Sequence, residues 1–204
     1  MPIVHELTTL EIKVASNASV YAALEKSLPA AGGKLLGAFA SDIGELSRVL
    51  VLREFASADA LAEARLAMLL ADNPLGVVEW LVKLESQSFA LFPFLPAVAT
   101  GTVGKWVEFR SYGLRQGALA QTIEAWKDAV PLRTKLSPMV GAFTALDGEQ
   151  PRLLNIWAYQ SVDERAQIRA DAVKQGVWPP KGGPANLTTM RSTLCAPLAF
   201  SPLR

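Results

Sequence analysis

Apolar and polar positions alternate along this chain in two rhythms, and the rhythms take turns. Residues 4–12, 34–40, 48–55 and 86–92 carry the alternation or short apolar runs of strands, as do residues 105–114, 138–145, 152–159 and 191–198. Between them, Tyr21, Leu24 and Leu28 share one helical face, and so do Leu119, Ile123, Trp126 and Val130. Pro29 and Pro131 stand where they read as helix stops. Ser161-x-x-Glu164 has the spacing of a capping box and starts a later helix. Asn73-Pro74 and Gly176 end the later helices, and Asp147-Gly148 marks a hairpin. Residues 77–84, around Trp80, read as a further apolar helix, and residues 178–184 (WPPKGGP) read as a loop.

The pattern occurs twice. Gly37-Ala38-Phe39 returns as Gly141-Ala142-Phe143, 104 positions on. LVLREFASADALAEARL, from Leu50, returns at the same offset as LNIWAYQSVDERAQIRA, from Leu154. Ser57/Ser161, Asp59/Asp163 and Arg65/Arg169 are identities within it. Glu6-Leu7 matches Glu108-Phe109, and Phe94-x-Pro96 matches Phe200-x-Pro202. A period near a hundred residues is too long for a solenoid repeat of ~20–50 residues. Two domains are expected, 1–97 and 104–204, joined by a small-residue linker at 96–104.

Each unit reads as β-α-β-β-α-β, the order of a ferredoxin-like domain. The predicted fold class is α+β, with two tandem domains whose antiparallel sheets face each other within the chain. Two helices cover one face of each sheet, and strand alternation indicates which. Leu154, Ile156, Ala158, Val107 and Phe109 suit the helix side. Asn155, Trp157, Tyr159, Glu108, Arg110 and Tyr112 are then left for the open face, where a second sheet or a ligand covers them. The first unit offers Glu6, Thr8, Leu10, Arg53 and Phe55 in the same places.

Composition narrows the classes. Half the residues are hydrophobic and 19% are charged, enough for a packed core. A net charge of +1 without a basic stripe argues against nucleic acid. No stretch reaches the ~18 apolar residues of a membrane span. The single Cys195 excludes an intrachain disulfide and fits a reducing, cytoplasmic setting.

These residues resemble the NIPSNAP family. VEFRSYGL is similar to its opening strand, Y-E-L-R-x-Y-x-L. GAFASDIGELSRVLVLREFAS resembles its central hairpin, NIWAYQSVDERAQIRA its third strand and following helix, and LAFSPL its closing P-F-S-P. The likeness covers nearly the whole chain as two domains. Unit one departs from it at Thr8, Leu10 and Arg53, and unit two lacks the I-G-x-L turn, which implies an asymmetric site. The resemblance implies the dimeric α+β barrel superfamily, in which two such sheets enclose a pocket. That superfamily holds cofactor-independent monooxygenases, isomerases, haem enzymes and stress proteins. Reported links of the family itself are to vesicle trafficking and mitochondria.

Candidate chemistry is sparse. His5, as the counterpart of Val107, reads as a half-buried edge histidine. With one His and one Cys, no metal or haem site is visible, and no cofactor is expected. Cys195 reads as a core residue. Arg65 and Arg169 read as solvated helix residues, and Trp80, Trp126 and Trp178 as core or lid. Gly32-Gly33 and Gly182-Gly183 do not form a phosphate loop. The remaining constellation is Glu108, Arg110, Tyr112, Trp157 and Tyr159: one carboxylate, one cation, phenols and an indole on one strand face. Two classes stay open. One is a binder of a small apolar or aromatic molecule, acting as a cofactor-independent monooxygenase or isomerase if it is an enzyme. The other is a non-catalytic interaction or stress protein with a filled inter-sheet core. The two sheets are expected to pair within the chain as a pseudo-dimer; further homo-oligomerisation stays open.

Overall fold

The computed structural model describes residues 2–204. The first half runs β1 (Val4–Ile12), α1 (Asn17–Ser27), β2 (Lys34–Ile43), β3 (Arg48–Phe55), α2 (Ala58–Leu70) and β4 (Leu81–Leu91). The second runs β5 (Trp106–Leu114), α3 (Leu119–Arg133), β6 (Met139–Ala145), β7 (Arg152–Tyr159), α4 (Val162–Lys174), a short α5 (Gly183–Asn186) and β8 (Leu187–Pro197). Both halves are ferredoxin-like. Their strands close into one antiparallel barrel in the order β1-β3-β2-β8-β5-β7-β6-β4. The edge strands β2 and β4 of one half pair with β8 and β6 of the other, so no sheet edge is left open.

Local chemistry sets the element ends. The Ser57 and Ser161 hydroxyls accept backbone N–H bonds from Ala60 at 3.1 Å and Glu164 at 2.9 Å, capping α2 and α4. Glu164 reaches back to the Gln160 N–H. Two expectations fail. Residues 77–84 are not a helix: Leu81 already pairs with Ile12 in β4. An apolar run that short fits strand or helix equally, and the open edge of β1 captures it. Pro131 does not end its helix either, because α3 runs on to Arg133. Among the described residues, no helix is long and apolar enough to cross a membrane.

Three layers of core result. The barrel interior holds Phe39, Leu52, Phe89, Phe109, Phe143 and Ile156, drawn from both halves. The repeated Gly-Ala-Phe is explained here. A Cβ on Gly37 would stand 2.3 Å from the Phe39 ring, and one on Gly141 2.6 Å from the Phe143 ring. Each glycine is the bed on which the phenylalanine two residues later lies. Outside the barrel, Leu10, Val49 and Val51 pack with Val20 and Leu24 of α1. Tyr112, Leu153 and Trp157 pack with Trp126 and Val130 of α3.

The expected faces are therefore reversed. Val107, Phe109, Leu154 and Ile156 fill the barrel, whereas Glu108, Arg110, Tyr112, Trp157 and Tyr159 lie on the helix side. Glu6, Arg53 and Phe55 do the same in the first half. Every residue of β7 is buried, so both of its faces are core and hydrophobicity cannot tell them apart. Pairing decides instead: the barrel takes the phenylalanines and aliphatics of both halves, with Arg152 at its mouth, while Arg53 and Arg110 go outside to the buried acids Glu6 and Glu108 and the Trp157 indole goes to Arg133.

His5 is also corrected. It is 2% exposed, lies 5.0 Å from Phe143 in an edge contact, and its Nε2 is 3.6 Å from Glu54. Burial outweighs Glu54 and lowers its pKa, so it is a neutral interior residue. Cys195 is fully buried, and burial, helped by the Asp42 charge, pushes its thiol up to about 12. A thiol reagent at pH 8 is expected to leave the folded protein unlabelled and to modify one group after denaturation. Rapid stoichiometric labelling of the folded chain would contradict this packing.

Candidate functional site

Glu108, on β5, is fully buried on the helix side of the second half. Its Oε1 accepts hydrogen bonds from Arg165 at 2.5 Å, Ser192 at 2.6 Å, Arg110 at 3.0 Å and Arg169 at 3.5 Å. Its Oε2 has no partner. Burial alone would raise this carboxyl's pKa, but the Arg165 bond, the Arg110 charge and the Ser192 bond outweigh it and hold the group below its ordinary value. Near neutral pH Glu108 is therefore a carboxylate, with three arginines on one of its oxygens.

The other predicted residues gather round it. Arg110 donates from Nε to the Tyr112 hydroxyl. Asn155 donates to the Arg110 carbonyl at 3.0 Å and accepts from the Trp157 indole at 2.8 Å, which locks the ring. Trp157 stacks under the Arg133 guanidinium, 4.4 Å from the ring centroid. Tyr159 meets Arg133 at 3.4 Å. Burial, the main cause in both, raises the pKa of Tyr112 and Tyr159, so both hydroxyls stay neutral while they accept from the arginines. The structure thus brings all five residues together, under the helices and not between the sheets.

Arginines that the sequence reading left out complete the site. Arg165 and Arg169 lie one turn apart on α4, and both aim at Glu108. Arg169 is not a solvated helix residue. Arg133 sits in the turn of α3 beyond Pro131 and is only 3% exposed. It donates to the Ser137 hydroxyl at 2.7 Å, and no described carboxylate lies within 4.0 Å of it. Burial lowers its pKa, against the pull of Tyr159 and Glu108. The signal for this cluster was present in the chain: a repeated acid (Glu6/Glu108) and a repeated helix base (Arg65/Arg169).

Two linked spaces open here. A cavity of about 70 Å³ is lined by Arg110, Tyr112, Arg133, Asn155, Trp157 and Tyr159, among others. Arg110, Tyr112, Arg169 and Trp178 also line a mostly apolar cleft of about 430 Å³. Trp126, Pro179, Pro180 and Met190 form its walls. Trp178 stands edge-on to Trp126 at 4.8 Å and to Trp157 at 5.5 Å, joining the two spaces.

The first half builds a different cluster. Glu6 is also fully buried, but both oxygens are bound: Oε2 by Arg53 at 2.5 Å and Thr8 at 3.2 Å, Oε1 by Arg65 at 2.9 Å. The cation that β5 supplies as Arg110 comes here from β3 as Arg53. Arg65 is shared with Asp147 of the other half at 3.4 Å, so this cluster has a second carboxylate. Among the described residues, no three His, Cys, Asp or Glu groups could hold a metal ion.

Similarities follow the two halves. The protein is 26% identical over 212 aligned residues to a NipSnap homologue of Dictyostelium discoideum, covering 96% of this chain and 87% of that one. It is 33% identical over 76 residues to NipSnap homologue 3B of Mus musculus, covering 37% of this chain and 31% of that protein. Among solved structures it superposes on a suspected monooxygenase from Lactobacillus acidophilus with a TM-score of 0.70 at 11% identity, covering 97% of this chain and 94% of that one. An anthrone oxidase-like protein gives a TM-score of 0.69 at 9% identity, covering 97% and 92%. At such identities the likeness is one of fold. The sequence pattern that defines NIPSNAP matches residues 5–86 and again 107–202, and the chain belongs to the NIPSNAP family, with two of its domains in tandem.

Proposed function

We propose that the second half binds a small, flat, apolar molecule carrying an anionic oxygen, in the cleft beneath Trp178. The observation that carries this reading is Arg133. A guanidinium buried this deeply without a carboxylate is costly, and it lines the small inner cavity that Arg110, Tyr112 and Trp178 share with the apolar cleft. Three arginines (Arg110, Arg165 and Arg169) share the single carboxylate of Glu108, and Arg133 stands nearby without one, so the site carries surplus positive charge. Trp126, Trp157 and Trp178 offer flat walls to an aromatic body. Arg110 and Arg133 would hold the anionic oxygen in their donor forks. The first half, with its acid fully bound, is not expected to bind, which gives one such helix-side site per chain.

Chemistry comes second to binding in this reading. A cofactor-independent oxygenase or isomerase could use the same arginines to stabilise a phenolate or enolate. It would also need a base, and Glu108 is held too acidic for that role. The monooxygenase and oxidase names among the fold neighbours support the possibility at the level of fold only. The alternative is a non-catalytic protein whose interior is filled by its own side chains.

Titration of the protein with 2-naphthoate, followed by tryptophan quenching and calorimetry, tests the binding. Arg133→Met and Trp178→Ala are each expected to weaken it about 10- to 100-fold, for a charged hydrogen bond or stacking surface of ~1.5–3 kcal/mol. Neutral 2-naphthamide should bind less tightly than the acid. Equal affinity in the wild type and both variants would place the site elsewhere. Oxygen uptake on adding hydroxynaphthalenes separates an oxygenase from a binder.

A further inference from the structure

The barrel is packed at one end and open at the other. At the open end a cavity of about 270 Å³ lies on the face of the sheet opposite the cleft, lined by strands of both halves. Phe89, Phe109 and Leu154 form its apolar side. Arg152 of β7 projects beside them, with its guanidinium 5.6 Å from the Phe89 ring centroid. Its Nη1 donates to the Ser111 hydroxyl at 3.1 Å. Its Nη2 is buried and has no hydrogen-bond partner, and the residue is 8% exposed. No described carboxylate lies within 4.0 Å of Arg152.

The surrounding charges are largely spent on one another. Arg48 pairs with Glu45 and, at 3.5 Å, with Glu11. Glu85 pairs with Lys83 at 2.5 Å. That leaves Arg152 and Arg191 facing Glu149 across the cavity, and the lining as a whole is neutral, with three acids against three bases. Hydroxyls of Thr9, Ser111 and Thr193 also line the space.

We propose that the barrel mouth is a second binding site, which takes a small monocarboxylate with Arg152 as its anchor. The planar fork of a guanidinium fits a carboxylate with two parallel bonds, and Nη2 is the donor still to be filled. In a neutral lining, one buried guanidinium with an open donor matches a single negative charge. A phosphate dianion would face Glu45, Glu85 and Glu149 at the rim. The volume falls just below the ~300–1,000 Å³ of pockets for drug-sized ligands, and so suits a short acid better than an aromatic body. The apolar floor accepts its hydrocarbon end. The two sites lie on opposite faces of one sheet, so each can be altered without touching the other.

Calorimetric titration of the full chain with acetate, lactate, butyrate and phosphate tests this. At least one monocarboxylate is expected to bind once per chain at millimolar or lower concentration. Arg152→Met should weaken it tenfold or more. Arg152→Lys, which keeps the charge but not the fork, should weaken it several-fold. With 2-naphthoate held at saturation in the helix-side cleft, the monocarboxylate should still bind, which separates the two sites. In the wild type, the arginine side-chain N–H resonances should shift with acid concentration, a readout that needs no variant. Absence of binding at tens of millimolar, phosphate binding in place of carboxylate, or equal affinity in both Arg152 variants and the wild type would overturn the proposal.

Discussion

Glu108→Ala is expected to cost about 3–5 kcal/mol of stability, the size seen when one partner of a buried ion cluster is removed. Glu108 is fully buried, and Arg110 and Arg165 would be left without their carboxylate. At this chain length each kcal/mol lowers the melting temperature by roughly 2–4 °C, so a fall of roughly 6–20 °C should appear in a thermal scan. The same residue gives a pH signature. Its folded pKa lies below the ordinary carboxyl value of 4.5. A carboxylate whose pKa is depressed on folding contributes stability that is fully present above its unfolded value. That stability is lost as pH falls through the folded value. The wild type should therefore lose stability below about pH 4.5, and Glu108→Ala should lose less over that window. Denaturant titrations at several pH values would measure both effects. A loss under about 1 kcal/mol at neutral pH would mean that the cluster is not the structural keystone described here.

Deleting residues 201–204 is expected to loosen the opposite end of the sequence. The last residues of each half are exchanged. Phe92, just after β4, packs in the second half's helix core, and its N–H donates to Ala142 at 2.9 Å. In return, Leu203 is fully buried and donates to Leu36 of β2 at 3.0 Å. The Ser201 hydroxyl accepts from Ala38 at 3.0 Å. Removing a buried leucine costs ~2–5 kcal/mol. Hydrogen exchange should rise across Lys34–Ile43, the strand that the tail covers. Leu203→Ala should show a milder form of the same pattern. If faster exchange were confined to β8, the tail would not be supporting the first half.

Much of the architecture was legible in the chain. The bounds of β1, β3 and β7 fall where alternation places them. Of the five residues singled out for a cavity lining, Arg110, Tyr112, Trp157 and Tyr159 line the small cavity and Glu108 does not. Their side of the sheet was not legible, because the central strands are buried on both faces and alternation then carries no contrast of polarity. Arg133 was missed because Pro131 reads as a stop, yet a proline near a helix C-terminus breaks only one turn's bonding and the chain continued past it. Arg165 and Arg169 look like surface residues of an otherwise polar helix. Only the buried acid on the neighbouring strand shows where they point. Trp178 was read only as core or lid, since a loop of Pro and Gly has no periodicity to say which face it meets.

The covalent joining of the two halves also frees them from each other. A homodimer built from one such half would carry every substitution twice, once on each side of its axis. Here each position exists once, and the halves have taken separate courses around the same buried acid. One satisfies Glu6 completely with Arg53, Thr8 and Arg65. The other leaves an oxygen of Glu108 unpartnered and sets the Arg133 guanidinium against a small cavity beside Trp157 and Trp178. Closing the barrel within one chain thus allows a division of labour: one half can specialise as scaffold while the other keeps, or acquires, a ligand.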